Sequence, residues 1–342
     1  MPKKLMFVNQ EKLAWQTYEE KALSDGQVRI RVEFGAAKHG TEMAFYKGHA
    51  IERGVFDQEY RLFRNPTEMT SVYPMPAGNM VVGFIEEVGS TVTRVSVGNR
   101  VCTFSGFCDQ AVASEERCWI MPEGMPWQSA VCLDPAEFAL GAVRDGHVRV
   151  GDTVAVFGLG AIGLMVVQLA RLAGALLVVG IDPLASRRDI AEQVGADLTL
   201  DPTAVDVGLE LKKATDKRGV DVAIEYSGAT TALQQALRGV AFGGNVVMGA
   251  FPAPYAAGLD LGAEAHLNIP NLIFSRANSR PDRGHPRWDD LRILKTCWKL
   301  LSTGRLTGEP IVQPVVPFQD LLQEYPKIAT QPGTYLKLGT IC

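Results

Sequence analysis

The chain has 342 residues, 46% of them hydrophobic and 21% charged, with a mean hydropathy of +0.04, the make-up of a globular protein that can bury its own core without disulfides. Lys and Arg total 34 against 38 Asp and Glu, a net charge of −4 with no block of like charge long enough to follow a phosphate backbone, so no nucleic-acid partner is expected. No apolar run is long enough for a signal-peptide core or a membrane span, so no membrane partner is expected and a cytoplasmic location is predicted.

At roughly 100 to 200 residues per domain, two domains are expected. In the first third, Val28, Ile30, Val32 and Phe34 alternate with Arg29, Arg31 and Glu33, the period of a half-buried strand in an antiparallel sheet. Short strands at 81–89 and 99–104, separated by Gly, Ser and Thr turn signals, complete an all-β unit in which helices are scarce. From Gly151 the pattern changes. TVAVFG gives way to a helix over 161–173 that Gly174 stops, followed by the buried run LLVVGID. Helices at 186–194 and near 205–217, strand DVAIEYSG, helix TTALQQALRGV and strand GNVVMGAF continue the alternation, which predicts a doubly wound parallel sheet over about 150–275. A polar stretch, 275–287, leads to an amphipathic helix near 288–303 and a tail of short strands.

The six cysteines, Cys102, Cys108, Cys118, Cys132, Cys297 and Cys342, form no CxxC pair, which excludes a zinc ribbon. They read as small buried apolar residues, none a nucleophile.

Gly158-Leu159-Gly160-Ala161-Ile162-Gly163 follows an apolar strand and opens a helix, the context that gives GxGxxG its meaning. Gly158 permits the tight turn, Gly160 lets a pyrophosphate approach the helix N-terminus near Ala161 and Ile162, and Gly163 lets helix pack on strand. Asp182 ends the next strand, where a carboxylate accepts both ribose hydroxyls and repels a 2'-phosphate. NAD is therefore the expected cofactor, with Arg187 and Arg188 close enough to the acid to soften its repulsion of NADP.

Together with the flanking phrases VGFIEEVGSTVTRVSVGNRV (82–101), IEYSGA and GGNVVMGAF, this motif resembles the medium-chain dehydrogenase/reductase superfamily over nearly the whole chain, most closely its polyol and threonine dehydrogenases. The resemblance implies an α/β protein with a GroES-like β-rich catalytic domain at 1–135, a Rossmann nucleotide-binding domain at 136–277 and a return to the catalytic domain at 278–342. It carries further cofactor contacts onto Ser227, Gly249, Ala250, Ser275 and Arg276, and it implies a homodimer or homotetramer.

Zinc-dependent members hold a catalytic zinc with the Cys of "C-G-T-D", the His-Glu of "G-H-E-x-x-G" and often the acid of "E-P". This chain reads Lys38-His39-Gly40-Thr41-Glu42, then Gly78-Asn79-Met80, then Asp134-Pro135. Only His39 and Asp134 remain as ligands where zinc needs three or four, so a metal-free member is expected. In zinc enzymes the metal stabilises the alkoxide from which hydride leaves. Here Lys38 as a fixed cation and His39 as acid/base are the candidate replacements, with Thr41 keeping the relay hydroxyl and Asn79 and Asp134 assigned to substrate. Neighbours on a strand point to opposite faces, so Lys38 and His39 can act together only if the strand ends or bulges at Gly40.

Arg276, Arg280, Arg283, His285 and Arg287 crowd one loop able to grip an anion, and Phe45, Tyr46, Phe56, Tyr60 and Phe63 either line a substrate site or pack in the core. The expected activity is hydride transfer between a secondary alcohol of a sugar, cyclitol or other polyol and NAD. Reduction of a conjugated enone or quinone, and a non-catalytic NAD-binding sensor, are the alternatives.

Overall fold

The computed structural model describes residues 1–64, 72–255, 257–276 and 287–342. The chain forms two compact units, Met1–Val131 with Val312–Cys342, and Cys132–Ile311.

In the first unit a seven-stranded sheet is organised by strand Gln27–Ala36. One edge pairs antiparallel with Met80–Val88; the other pairs first with Gln110–Ser114 and then, at Phe34–Ala36, with the C-terminal strand Gly339–Ile341. The alternation holds where it decides burial: Val28, Ile30 and Val32 join Val81, Ile85 and Val101 in one apolar cluster. Each such side chain contributes roughly 1.5–3 kcal/mol. Arg29 is also buried, with its guanidinium satisfied by Glu87 at 2.8 Å and the Lys21 carbonyl at 2.7 Å.

Two features of this unit differ from the sequence reading. The N-terminus forms a hairpin, Lys3–Asn9 with Lys12–Thr17, which a short unbroken apolar run does not announce because periodicity needs alternation. Helix His39–Tyr46 follows the central strand directly. Its buried Tyr46 packs with Leu5, Phe7, Phe107 and Tyr325, residues distant in sequence, so tertiary packing rather than a long amphipathic period selects the helix. The tail holds two strands, Val315–Pro317 and Gly339–Ile341, with short helices at Leu321–Glu324 and Lys327–Thr330 between them.

The second unit is a six-stranded parallel sheet in the order Leu198–Leu200, Leu177–Ile181, Thr153–Phe157, Val220–Glu225, Val240–Met248, Asn271–Phe274. In chain order this is 3-2-1-4-5-6, whose switch point lies between the first and fourth strands, where ligands bind at the strands' carboxyl ends. Helices Val207–Ala214 and Thr230–Gly239 cover one face, setting Leu211, Leu233 and Leu237 on Ala155, Phe157 and Val179. Helix Asp290–Ser302 packs on helix Leu133–Asp145, which keeps 290–311 in this unit and puts the division at 131/132 and 311/312, against the 135/136 and 277/278 read from sequence. Asp289 caps that helix by accepting from the Arg292 N–H at 2.7 Å, a contact of about 1 kcal/mol.

Candidate active site and cofactor site

At the end of the fully buried strand Thr153–Phe157 the chain reverses at Gly158, whose φ of +86° suits only glycine, and a Cβ there would lie 2.6 Å from the Ser227 nitrogen. A Cβ on Gly163 would meet the Gly158 carbonyl oxygen at 2.0 Å, so helix Ala161–Leu172 sits this close to the turn only because residue 163 has none. Beside Gly160, the helix N-cap, a Cβ would meet nothing within 4 Å, and no side chain caps the helix at Ala161 and Ile162. An open approach to the positive end of a helix fits a pyrophosphate.

Asp182 is buried beside this turn. Its Oδ2 accepts the Leu159 N–H at 2.9 Å, its Oδ1 accepts the Leu184 N–H at 2.9 Å, and the Arg187 guanidinium lies 3.5 Å from Oδ2. The acid is thus fixed by the backbone of the glycine turn. Arg188 is directed away from the carboxylate, bonding the Asp182 carbonyl at 2.7 Å and Asp201 at 3.2 Å.

Ser227 lies against Gly158 and donates its N–H and hydroxyl to Glu225 Oε1 at 2.6 and 2.5 Å. The N–H groups of Gly249 and Ala250 donate to the Glu225 carbonyl at 3.0 and 3.3 Å. Gly249 is glycine for space, since a Cβ would enter the Tyr226 ring. Ser275 is buried with its hydroxyl on Asp145 at 2.6 Å, so that oxygen is engaged within the fold; Arg276 follows it at the surface. Arg280, Arg283 and His285 lie outside the described residues, and Arg287 is exposed. Glu225 carried no role in the sequence reading. It is fully buried, its Oε2 has no hydrogen-bond partner among the described residues, and burial holds its carboxyl above the usual range.

In the first unit the strand ends at Ala36, Lys38 is the N-cap, and the helix starts at His39. The strand therefore stops before the two candidates, which removes the constraint of opposite faces. The C-terminal segment grips this junction. The Ala37 N–H donates to the Leu338 carbonyl at 2.9 Å, the Lys337 ammonium to the Ala37 carbonyl at 2.7 Å, and the Leu338 N–H to His39 Nε2 at 2.8 Å. Thr41 is half-buried on the first helical turn.

Glu42 is buried at the centre of this arrangement. Its Oε1 accepts the Lys38 N–H at 2.6 Å; its Oε2 accepts the Gly78 N–H at 3.0 Å and the Tyr325 hydroxyl. Burial raises its pKa, while the Tyr325 hydroxyl, the two N–H groups and the Lys337 charge pull the other way. A carboxyl raised on folding favours the folded state when protonated, so stability should fall as pH rises from the ordinary value of 4.5 through the higher folded value. Glu42→Gln should flatten that slope in denaturation curves at about pH 4.5 and about pH 8, and at the lower pH should cost about 1–3 kcal/mol because an amide cannot accept from all three donors. An unchanged slope would contradict this.

Asn79 is held beside the junction, its N–H on the Ala36 carbonyl and its carbonyl receiving the Ser105 N–H, both at 3.0 Å. Its Nδ2 is buried with no hydrogen-bond partner among the described residues. Asp134 is buried in the first turn of helix Leu133–Asp145 and belongs to the second unit, whereas Lys38, His39, Thr41 and Asn79 belong to the first. Tyr46 is a core residue; Phe56 and Phe63 meet edge to face at 5.2 Å on an exposed hairpin, and Tyr60 lies under the Arg64 guanidinium. Burial pushes the Cys108 and Cys118 thiols up to about 11, which keeps them protonated and unreactive at neutral pH.

These residues do not fit a catalytic zinc. His39 Nε2 already accepts a main-chain proton, Asn79 offers an amide, Met80 is fully buried, and the described residues contain no group of three His, Cys, Asp or Glu able to hold a metal ion.

Residues 24–142 match the alcohol dehydrogenase GroES-like domain and residues 161–280 the zinc-binding dehydrogenase family. A D-guloside 3-dehydrogenase of Escherichia coli K12 is 44% identical over 98% of this chain and 99% of its own. The chain belongs to the medium-chain dehydrogenase/reductase superfamily. A solved structure of a "putative zinc-binding dehydrogenase" of Sinorhizobium meliloti 1021 bound to NADP superposes with a TM-score of 0.79 at 21% identity, covering 100% of this chain and 99% of that one. A short chain alcohol dehydrogenase of Escherichia coli CFT073 complexed with NADH superposes with a TM-score of 0.77 at 19% identity and the same coverage. As a member of the superfamily, the protein is an alcohol- or polyol-dehydrogenase-type oxidoreductase.

Proposed function

We propose that this enzyme is a metal-independent, NAD-dependent dehydrogenase acting on a secondary alcohol of a sugar, cyclitol or other polyol. One observation carries the reading: where relatives place zinc ligands, this chain holds an imidazole whose Nε2 accepts the Leu338 N–H and an amide whose buried Nδ2 has no partner among the described residues. The D-guloside 3-dehydrogenase relative, matched over almost its whole length, supports a ring hydroxyl of a glycoside as the oxidised group.

When bound, the nicotinamide accepts or returns the hydride. Gly158, Gly160 and the start of helix Ala161–Leu172 would hold the pyrophosphate, and Asp182 the ribose hydroxyls. Lys38 would supply a fixed positive charge to the oxygen losing its proton, His39 a hydrogen-bonding ring beside it, and Asn79 Nδ2 a donor to a substrate oxygen. An amide donor from Asn79 and a positive charge from Lys38 would suit a polyhydroxylated substrate better than an apolar enone.

The test is isotope transfer from 4-deuterated NADH, with keto-sugars and keto-cyclitols in one panel and enones and quinones in the other. Deuterium on a carbinol carbon is expected. Transfer only to an enone β-carbon, or none to either panel, would overturn the reading.

A further inference from the structure

We infer that the main-chain N–H of Leu338 fixes His39 as the Nδ1–H tautomer, so that the imidazole serves the reaction as an uncharged hydrogen-bond donor and not as the proton acceptor. The inference rests on the function proposed above and assigns the chemistry of one of its residues.

A peptide N–H can only donate. At 2.8 Å from His39 Nε2 it requires a lone pair there, and a neutral imidazole with its lone pair on Nε2 carries its proton on Nδ1. The Leu338 N–H is not free to swing away. The same residue's carbonyl receives the Ala37 N–H at 2.9 Å, Gly339 pairs with Ala36 in the sheet, and the preceding Lys337 holds the Ala37 carbonyl at 2.7 Å. On the other side of the junction, Glu42 ties down the Lys38 N–H and Gly78. A second proton on Nε2 would face the Leu338 N–H across this pinned contact. His39 also occupies the first position of helix His39–Tyr46, where the positive end of the helix opposes a charged ring.

The consequence is a division of labour. In oxidation the C–H bond breaks with its electron pair going to the nicotinamide as hydride, the hydroxyl proton leaves to water, and the oxygen ends as a carbonyl. While negative charge gathers on that oxygen, His39 Nδ1–H donates to it and Lys38 supplies the positive charge. His39 neither gains nor loses a proton over the cycle.

Two measurements test this. In 15N-labelled protein at neutral pH, His39 should show a protonated Nδ1 and an unprotonated Nε2; the chain has five histidines, and the signals missing from His39→Asn assign the residue. Asparagine places an amide N–H where Nδ1 stands but has no proton to exchange. His39→Asn should therefore keep turnover within about tenfold of wild type, while His39→Ala loses roughly 10²–10³-fold. A charged ring or a protonated Nε2, or an Asn variant as impaired as the Ala variant in correctly folded protein, would overturn the inference. Absence of alcohol turnover by the wild type would count instead against the proposed function, and the nitrogen spectrum would still decide the tautomer.

Discussion

Lys38→Met is expected to lower turnover of the alcohol by roughly two to four orders of magnitude while leaving NAD affinity within about a factor of two. The variant keeps the length and apolar stem of the side chain and removes only the charge, and the main-chain N–H of residue 38 still caps onto Glu42. NAD affinity is the internal control because Gly158, Gly160 and Asp182 belong to the other compact unit. His39→Ala should cost a comparable factor. If, as proposed, both groups serve one oxygen, the double variant should fall well short of the product of the two losses. Steady-state kinetics with one polyol substrate and fluorescence titration with NADH measure all of this. Near-full activity in both single variants would move the chemistry away from this junction.

The second large effect concerns the cofactor. Asp182 is buried against the glycine turn with both carboxylate oxygens held by main-chain N–H groups, so it cannot swing aside for a 2'-phosphate. Two negative charges brought together there should disfavour NADP by a few kcal/mol, of order 10²–10³-fold in affinity. Asp182→Ala should narrow the preference by one to three orders of magnitude, helped by Arg187, whose guanidinium stands 3.5 Å from the lost carboxylate. Comparable kcat/KM for NAD and NADP in the wild type would refute the assignment.

The nucleotide unit was legible in the sequence because its signals are local. The strand before Gly158, the glycine spacing and the acid after the next strand all fall within about thirty residues, and each has a steric or electrostatic reason visible in isolation. The candidate catalytic junction was legible only as a list of residue types. That Lys38 and His39 escape strand alternation depends on the strand ending at Ala36, where it is met by Leu338 and Gly339, some three hundred residues away. Glu42 stood in plain sight in the KHGTE run, yet nothing local marks it as the acceptor for Lys38, Gly78 and Tyr325 together. Lys337 drew no notice in the sequence, and only the fold buries it on the Ala37 carbonyl. The N-terminal hairpin and helix His39–Tyr46 escaped for the same reason: their buried faces are completed by one another and by Tyr325, not by their own periodicity. Local motifs report on the nucleotide unit, and long-range pairing decides what the candidate catalytic residues can do.

The most direct measurement is metal content against activity on the same sample. Protein purified, dialysed against a strong chelator and analysed for its elements should hold well under one zinc per chain and still oxidise its alcohol with NAD at the undialysed rate, because Asn79 and Met80 cannot replace an imidazole and a carboxylate. One tightly held zinc per chain, with activity lost on its removal and restored by its return, would contradict the account.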